Sequence, residues 1–425
     1  MANGFGDARL CRIFAPMSTK KLILILALAL LFKDLSAQSK AVVHRYRASL
    51  LRSDSARIVF QIEEVNTNGR IVWNFLNAGE RLQAKNIRVK KDSLFVDMPF
   101  FESGFEVKRE KDGRLTGVWR KGTAAQEVIV PFLAVPTKDR FPLTFGPAKY
   151  QLNGRWRSEI LSPDGSKEDA VVQLNQQGNR IIGSVVINSG DYRYLEGVVT
   201  GDSLVMSTFD GSHAYLFMAK VKDGNTITDG VFFAGAKSRR TWSAVKDDHA
   251  DVDLSETAAT LKPGESKLDF RFPDLDSNLV SINDDRFKNK VVVIQIMGSW
   301  CPNCMDETAF LSDYYKKNHA RGVEMIGLAY EYSTDFARSV RSLKKFKERF
   351  ALDYPVLITG VRVGDSLRTE KTLPQITEIK TFPTTIFIGR DGMVKKIAND
   401  FFGPATGEYY ERYKREFEKT INELL

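Results

Sequence analysis

Hydrophobic and polar residues alternate along residues 41–246 with the period of two that is typical of β-strands. Segments such as Arg57–Ile62, Ser93–Val96 and Leu115–Trp119 have this alternation, and turn signals such as Asn68-Gly69 separate them. No segment of this region has the period of an amphipathic helix. The pattern therefore predicts an all-β region.

The β region is internally repeated. Asp92–Val96 recurs as Asp202–Met206, 110 residues later, and a Lys-Asp-Gly turn follows each copy. We therefore predict two β-modules, module 1 at residues 41–137 and module 2 at residues 150–246, each a small antiparallel barrel or sandwich. Neither module has a cluster of catalytic residue types, and neither resembles a family that we can name.

The pattern changes after residues 247–260, an acidic and polar stretch that suits a linker. From residue 261 to residue 425, apolar strands alternate with helices, as in a parallel or mixed sheet covered by helices. Val291–Met297 is an apolar run typical of a buried central strand, Phe336–Phe350 is a basic amphipathic helix, and Gly360–Leu373 is a polar loop. The predicted fold is multidomain: all-β, then α/β.

The N-terminus has the features of an export signal. Lys20-Lys21 precede an uninterrupted apolar run, Leu22–Phe32, which is followed by the small-residue cleavage site Leu35-Ser36-Ala37. Because the run is shorter than the ~20 residues that span a membrane, a cleaved signal at residues 1–37 is favoured over an uncleaved anchor. Residues 1–16 are predicted to be an extension from an alternative start codon. We expect a periplasmic or otherwise exported protein, cleaved near Ala37.

Charge and cysteine content narrow the chemistry. The net charge of +9 falls to +6 without residues 1–37 and includes no block of like charges, so we predict no nucleic-acid partner. Of the three cysteines, Cys11 would be lost with the signal, which leaves Cys301 and Cys304. Two cysteines are too few for a disulfide framework in an exported chain of this length. They are instead expected to be a reactive pair.

The spacing of Cys301 and Cys304, at the start of a predicted helix, has three common uses. A structural zinc site needs two more thiolates or histidines, and the histidines of this chain are isolated. Haem attachment needs a histidine where Met305 stands. A peroxiredoxin-type cysteine fits poorly, because that family has proline and threonine where this chain has Ile294 and Gly298. We therefore predict a redox couple and no metal.

The C-terminal domain, residues 261–425, resembles the TlpA/ResA family of exported protein disulfide reductases, which have a thioredoxin fold. The matching residues are Trp300-Cys301-Pro302-Asn303-Cys304, Glu307 six positions after the first cysteine, Phe382-Pro383-Thr384-Thr385, and the opening Phe272-Pro273-Asp274-Leu275. The resemblance covers most of the last 165 residues of the chain.

The resemblance implies a thiol–disulfide oxidoreductase that reduces partner proteins. Cys301 would attack a substrate disulfide and Cys304 would resolve the mixed disulfide, so that a Cys301–Cys304 disulfide is the only redox group and no cofactor is needed. Glu307 would tune the cysteine pKa values and deprotonate Cys304, since Gln295 stands where thioredoxins have a buried aspartate. A glutamate that only complements the helix dipole is the alternative for Glu307.

The same resemblance implies a docking surface. Pro383 would be a cis-proline beside the cysteines, and the chain before it would pair with the substrate backbone. Trp300, Phe382, Pro302 and Asn303 would contact the substrate, although Trp300 has simple packing as its alternative role.

The implied partners are oxidised client proteins and a membrane thiol-reductant carrier, in a cell-envelope role related to cytochrome c biogenesis. The oligomeric state is not indicated by the sequence. Two alternatives remain open at this point: a disulfide oxidase or isomerase that uses the same cysteines, and a ligand- or protein-binding protein whose β-modules carry an accessory redox domain.

Overall fold

Two nine-stranded sheets precede a five-stranded mixed sheet in the described part of the chain. The structure is a computed structural model that describes residues 41–99, 101–123, 126–141 and 146–425. The predicted signal at residues 1–37 lies outside the described residues. Val43–Val65 and Ile71–Leu425 form one compact unit, which includes most of both β-modules and all of the α/β domain.

Module 1 is built from short strands that turn back on one another. The strands are β1 (Val42–Leu51), β2 (Arg57–Thr67), β3 (Arg70–Asn77), β4 (Glu80–Ala84), β5 (Asn86–Lys90), β6 (Ser93–Asp97), β7 (Ser103–Arg109), β8 (Leu115–Lys121) and β9 (Val128–Pro136). Their order in the sheet is β4-β3-β2-β1-β9-β8-β7-β6-β5. Ile58, Phe60 and Ile62, at every second position of β2, are buried in the core, as the alternating pattern predicts.

Module 2 closes on itself. Its strands are β10 (Gly154–Leu161), β11 (Lys167–Gln177), β12 (Arg180–Ile187), β13 (Gly190–Asp191), β14 (Leu195–Thr200), β15 (Ser203–Phe209), β16 (Ala214–Val221), β17 (Thr226–Ala234) and β18 (Ser238–Lys246). Because β11 pairs with both β10 and β12, the sheet is a barrel. The barrel interior is filled by the module's own side chains, including Trp156, Phe217, Phe232 and Trp242.

The two modules have the same strand order around their first strand. The first strand pairs with the last in each module, β1 with β9 and β10 with β18. The next strands outward, β8, β7 and β6, correspond to β17, β16 and β15. The repeated sequences Asp92–Val96 and Asp202–Met206 lead into β6 and β15, so they occupy matching places in the two sheets.

The α/β domain has a central sheet with helices packed against it. Its strands are β19 (Arg271–Pro273), β20 (Leu279–Ser281), β21 (Val291–Met297), β22 (Val323–Ala329), β23 (Val356–Ile358), β24 (Thr384–Ile388) and β25 (Val394–Ala398). Its helices are α1 (Pro302–Asn318), α2 (Phe336–Phe350), α3 (Arg368–Thr372) and α4 (Glu408–Leu424), with single 3₁₀ turns at Asp285–Phe287, His319–Arg321 and Pro404–Thr406. No helix of the described residues is long and apolar enough to cross a membrane.

Strand β21 lies in the middle of the order β23-β22-β21-β24-β25, parallel to β22 and antiparallel to β24. All seven of its side chains are buried, because both faces of the sheet are covered. Val293 belongs to a core cluster that includes side chains of α1, α2 and α4, whereas Ile294 belongs to a separate cluster that includes Phe270 and Leu373. The order of all-β and α/β regions confirms the predicted fold class.

The predicted polar loop at Gly360–Leu373 contains helix α3. This helix has five residues, which is too short for a hydrophobic period to be visible in the sequence. Thr369 and Thr372 of α3 are buried, and the Thr369 hydroxyl accepts a hydrogen bond from the Ile379 backbone N–H at 3.0 Å. The segment is therefore part of the packed domain.

Module 2 inserts an aromatic side chain into the core of module 1. Phe209 of β15 is fully buried, and its ring stacks on that of Phe60 with 4.2 Å between the ring centroids. It also lies 5.4 Å from Phe75 and 5.5 Å from Trp119, both of which belong to module 1. The two modules share one core at this point.

We predict that Phe209→Ala destabilises the protein by about 3–5 kcal/mol, because the variant leaves a cavity between the two modules. Urea unfolding followed by tryptophan fluorescence measures the change. The control is Val245→Ala on β18, whose side chain is 56% exposed and which should change stability by no more than about 0.5 kcal/mol. Equal stabilities of the two variants would contradict the shared core.

Candidate active site

The two cysteines lie where strand β21 passes into helix α1. Cys301 is the N-cap of α1, and its Sγ accepts a hydrogen bond from the Cys304 backbone N–H at 3.2 Å. Pro302 occupies the first helical position, where its missing N–H costs no hydrogen bond. Both cysteines are free thiols, and Cys301 is only 4% exposed. The start of the helix therefore directs the Cys304 N–H, which has no acceptor inside the helix, and the positive end of its dipole at Cys301 Sγ.

Cys304 has a different environment from Cys301. It lies one turn further into α1 and is completely buried. Burial raises the pKa of the Cys304 thiol well above its usual range, and the neighbouring Cys301 and Glu307 raise it further. Cys304 is therefore protonated in the dithiol form, and the more accessible Cys301 is the sulfur that can react first.

Glu307 lies in the protein interior behind the cysteine pair. Its Oε1 accepts hydrogen bonds from Tyr413 Oη at 2.7 Å and Thr385 Oγ1 at 2.5 Å, and its Oε2 accepts one from Gln295 Nε2 at 2.8 Å. Burial raises the pKa of Glu307, and its three donors oppose that increase. Gln295 Nε2 also donates to the Cys304 carbonyl at 3.2 Å, so this amide connects Glu307 to the helical turn that carries Cys304.

The Phe382–Pro383 peptide bond is cis, and Pro383 lies opposite the cysteines at the start of β24. The Cys301 thiol is 3.5 Å from the Phe382 carbonyl oxygen, its hydrogen-bond acceptor. The half-buried Trp300 ring lies 5.4 Å from the Phe382 ring and stacks on Tyr332 at 5.3 Å. Trp300 and Phe382 thus form a partly exposed aromatic surface next to Cys301.

Pro302 and Asn303, between the two cysteines, differ from Trp300 and Phe382 in exposure. Both are buried, and Asn303 Nδ2 donates a hydrogen bond to Asp191 Oδ2 of module 2 at 2.7 Å. The structure therefore separates the four predicted substrate-contacting residues into two groups. Trp300 and Phe382 lie at the partly exposed surface, whereas Pro302 is buried and Asn303 lies against module 2.

Sequence reasoning missed a second buried glutamate at the site. Glu331, just after β22, accepts hydrogen bonds from the Ser299 backbone N–H at 2.8 Å and from Ser299 Oγ at 2.6 Å. Burial raises the pKa of Glu331 to about 7. The Trp300 indole N–H also donates to the Tyr330 carbonyl at 2.7 Å. The segment after β22 therefore fixes the two residues that precede Cys301, which no spacing in the sequence indicates.

Tyr413 was also missed, although the sequence carries a signal for its orientation. Tyr409, Tyr413, Phe417 and Ile421 recur at intervals of four residues in α4, and all are buried. That spacing identifies the inward face of the helix. It does not show that Tyr413 reaches Glu307. The described residues include no group of three or more His, Cys, Asp or Glu side chains arranged to hold a metal ion.

Comparisons with known proteins find relatives of the C-terminal part of this chain. Residues 262–410 match the Redoxin family model. The thiol-disulfide oxidoreductase ResA of Bacillus thuringiensis subsp. konkukian is 29% identical over 153 residues, which are 36% of this chain and 77% of that protein. ResA of Bacillus subtilis is 22% identical over 138 residues, which are 32% of this chain and 68% of that protein.

Solved structures also match the C-terminal part of the chain. A thiol:disulfide interchange protein DsbE from Chlorobium tepidum, described as putative, is 18% identical, with a TM-score of 0.29 over 38% of this chain and 99% of that one. The C-terminal domain of a thiol-disulfide oxidoreductase from Bacteroides thetaiotaomicron, also described as putative, is 19% identical with a TM-score of 0.29, over 38% of this chain and 97% of that one.

The family model and the curated relatives cover the region that holds the cysteine pair, Glu307 and Pro383. Modules 1 and 2 lie outside the matched residues 262–410. Residues 262–410 thus form a Redoxin domain that is similar to the ResA oxidoreductases, and the protein is a thiol–disulfide oxidoreductase.

Proposed function

We propose that this protein is exported and reduces the disulfides of partner proteins through a Cys301/Cys304 dithiol–disulfide cycle. The observation that carries the proposal is the asymmetry of the pair. Cys301 Sγ accepts an N–H at the start of α1, whereas Cys304 is completely buried and its pKa is raised. One sulfur is thus suited to attack and the other to resolve.

In the proposed cycle, the Cys301 thiolate attacks one sulfur of a client disulfide. A Cys301–client S–S bond forms, and the other client sulfur leaves as a thiolate that takes a proton. Cys304 then loses its proton and attacks Cys301 Sγ, which releases the second client thiol. The client gains two electrons, and the protein is left with the Cys301–Cys304 disulfide as its only redox group. A membrane dithiol carrier returns the two electrons.

Glu307 is proposed to take the proton from Cys304. Its own pKa is raised by burial, so that it can accept a proton closer to neutral pH than an exposed glutamate can. Gln295 holds the carboxylate against the turn that carries Cys304. Thr385, next to Thr384 at the start of β24, donates to the same carboxylate and so ties it to the cis-proline strand.

The reductive direction is supported by the energetics of the buried sulfur. A strongly oxidising pair has a dithiol form that is stabilised. Here burial and the charge of Glu307 both disfavour a thiolate at Cys304. The reduced form therefore gains no stability from a thiolate at Cys304, and this sulfur does not supply the stabilisation that makes a pair strongly oxidising.

Export is supported by the sequence at the N-terminus. Lys20-Lys21, the apolar run Leu22–Phe32 and the small residues before position 38 have the order of a cleaved signal. An oxidising compartment is also where a protein that reduces disulfides finds substrates. Cleavage near Ala37 would leave Cys301 and Cys304 as the cysteines of the mature chain.

We predict that Cys304→Ala accumulates mixed disulfides with client proteins, because Cys301 can still attack and nothing resolves the product. Non-reducing electrophoresis of the exported fraction, followed by mass spectrometry, identifies the trapped clients. Cys301→Ala is the matched control and should trap none. A Cys304→Ala variant that captures no protein would contradict the protein-substrate proposal.

We expect the reduction potential of the pair to lie close to the value of about −270 mV of thioredoxin. Equilibration of the full chain with dithiothreitol redox buffers measures it. A value near about −120 mV, the potential of a strong disulfide oxidant, would instead identify an oxidase.

Glu307→Gln is predicted to slow the resolution of a mixed disulfide by about ten-fold or more at pH 7, because the proton acceptor is lost. Stopped-flow release of a labelled thiol from a Cys301 mixed disulfide measures the rate. Glu324→Gln is the control, since Glu324 is also buried but bonds to Tyr315. Equal rates for the two variants would contradict the role of Glu307.

The same variant is predicted to change the pH dependence of stability. The pKa of Glu307 is raised in the folded state, so its contribution is fully present below the unfolded value of about 4.5 and is lost as the pH rises through the folded-state pKa. Wild-type stability should therefore fall more than that of Glu307→Gln as the pH rises above about 4.5, as measured by urea unfolding. An equal fall in both proteins would contradict the burial argument.

A further inference from the structure

Module 2 contacts one face of the turn that carries the cysteines. Ser212 Oγ donates to the Trp300 carbonyl at 3.2 Å, and the Asn303 amide donates to the Asp191 carboxylate at 2.7 Å. Asp306 pairs with Arg193 through two hydrogen bonds, Nε to Oδ2 at 2.8 Å and Nη2 to Oδ1 at 2.9 Å. Positions 303 and 306 are three residues apart, which places them on the same side of the first turn of α1, and Trp300 lies just before the helix.

An adjacent side of the same turn faces the C-terminal domain. Cys304 and Glu307 project there, toward Gln295, Thr385 and Tyr413. The reactive turn is therefore held between two surfaces. One is the thioredoxin-like core, and the other is a surface of module 2 that is more than 80 residues away in the sequence.

Arg193 is the centre of the module 2 contact. Its guanidinium is buried and also donates to Glu80 Oε1 of module 1 at 2.6 Å and lies 3.4 Å from Asp210 Oδ2. One buried cation thus joins a carboxylate from each of the three domains. A buried carboxylate without such a partner carries a large desolvation cost, so Asp306 depends on this arginine for its charged form.

Asp191 has a complementary role next to Arg193. Its Oδ2 accepts hydrogen bonds from Asn303 Nδ2 and from the Gly403 backbone N–H, each at 2.7 Å. Its Oδ1 accepts a hydrogen bond from the backbone N–H of Arg193 at 2.7 Å. The φ angle of Gly190 is 141°, and a Cβ added there would be 3.3 Å from the Asn303 side chain. The backbone of β13 therefore lies directly against Asn303, which precedes Cys304.

We propose that module 2 completes the redox site, and that Asp191 and Arg193 are positioning residues that fix the Cys301–Cys304 turn and set its reactivity. The inference rests on the proposed function, since it concerns the same cysteine pair. Arg193 acts through Asp306, and Asp191 acts through Asn303. The chemistry of thiol–disulfide exchange is unchanged, but its rate and equilibrium depend on a domain that lies outside the matched Redoxin region.

The charges predict opposite effects for the two partners of the Arg193–Asp306 pair. Arg193→Met removes a cation near the N-terminus of α1 and leaves Asp306 facing other carboxylates, which disfavours a thiolate at Cys301. Asp306→Asn removes an anion from the same turn and retains Arg193 with Glu80 and Asp210. Because Asn is neutral and similar in shape, this second variant avoids the unpaired buried charges that could prevent Arg193→Met from folding.

The experiment uses the full chain in the dithiol form. Iodoacetamide alkylation of Cys301 at pH 7, followed by mass spectrometry, gives its reactivity, and equilibration with dithiothreitol gives the redox equilibrium constant. We expect alkylation to be about two- to five-fold slower in Arg193→Met and faster by a similar factor in Asp306→Asn. Arg193→Lys keeps the charge and should lie closer to wild type than Arg193→Met.

Arg155→Met is the matched control. Arg155 also joins module 2 to the C-terminal domain, through a 2.6 Å ion pair with Glu408 of α4, but it does not contact the cysteine turn. The Arg155→Met variant should have the same rate of Cys301 alkylation and the same redox equilibrium constant as the wild type. Wild-type values in both Arg193→Met and Asp306→Asn, or an equal change in Arg155→Met, would overturn the inference. Wild-type protein that does not exchange with dithiothreitol at all would instead overturn the proposed function.

Discussion

The site depends on one constraint, the unsatisfied backbone N–H groups at the start of helix α1. An α-helix leaves its first N–H groups without partners inside the helix, so a neighbouring acceptor must be supplied. Here the acceptor is Cys301 Sγ, which receives the Cys304 N–H. The strand before the turn, β21, is buried on both faces and cannot shift without disturbing both layers of the domain. The position of the reactive sulfur is thus set by the core of the domain.

The same geometry makes Cys304 and the carboxylates around it costly to ionise. Glu307 and Glu331 are buried and Asp306 is largely buried, all in the turns that carry or flank the cysteines, and desolvation raises the pKa of each, to about 7 for Glu331 and about 6 for Asp306. Each is held by donors from a different part of the chain. Perturbed carboxylates in such a cluster are typical of functional sites, because a purely structural core would use apolar side chains.

Much of the C-terminal domain could be predicted from the sequence. The apolar run that forms β21, the helix that starts beside Cys301 and the basic helix α2 each have a pattern that extends over many residues. Cys301, Cys304 and Glu307 could be found because their spacing is local. The all-β region was predicted from alternation and its division into two modules from a repeated motif, and the two sheets have the same strand order around β1 and β10.

The remaining parts of the site could not be predicted, for a physical reason. Asp191 and Arg193 lie about 110 residues before the cysteines, and nothing in their local sequence records the long-range packing that brings them to Asn303 and Asp306. The same applies to Glu331, whose contact with Ser299 depends on the lateral pairing of β21 with β22. Local periodicity determines the face on which a side chain lies, but only the assembled domains determine its partner.

The packing of module 2 also bears on how a client can reach Cys301. The side of the turn at Asn303 and Asp306 is occupied by module 2, so a client chain cannot use it while the domains are joined as described. The side near Trp300 and Phe382 is partly exposed, and the Phe382 carbonyl lies 3.5 Å from Cys301 Sγ. A client that pairs its backbone beside Pro383 would therefore approach across this aromatic surface. A client therefore has fewer directions of approach to Cys301 than it would have in an isolated thioredoxin-like domain. The contacts with module 2 that block these directions also fix the turn that carries the cysteines.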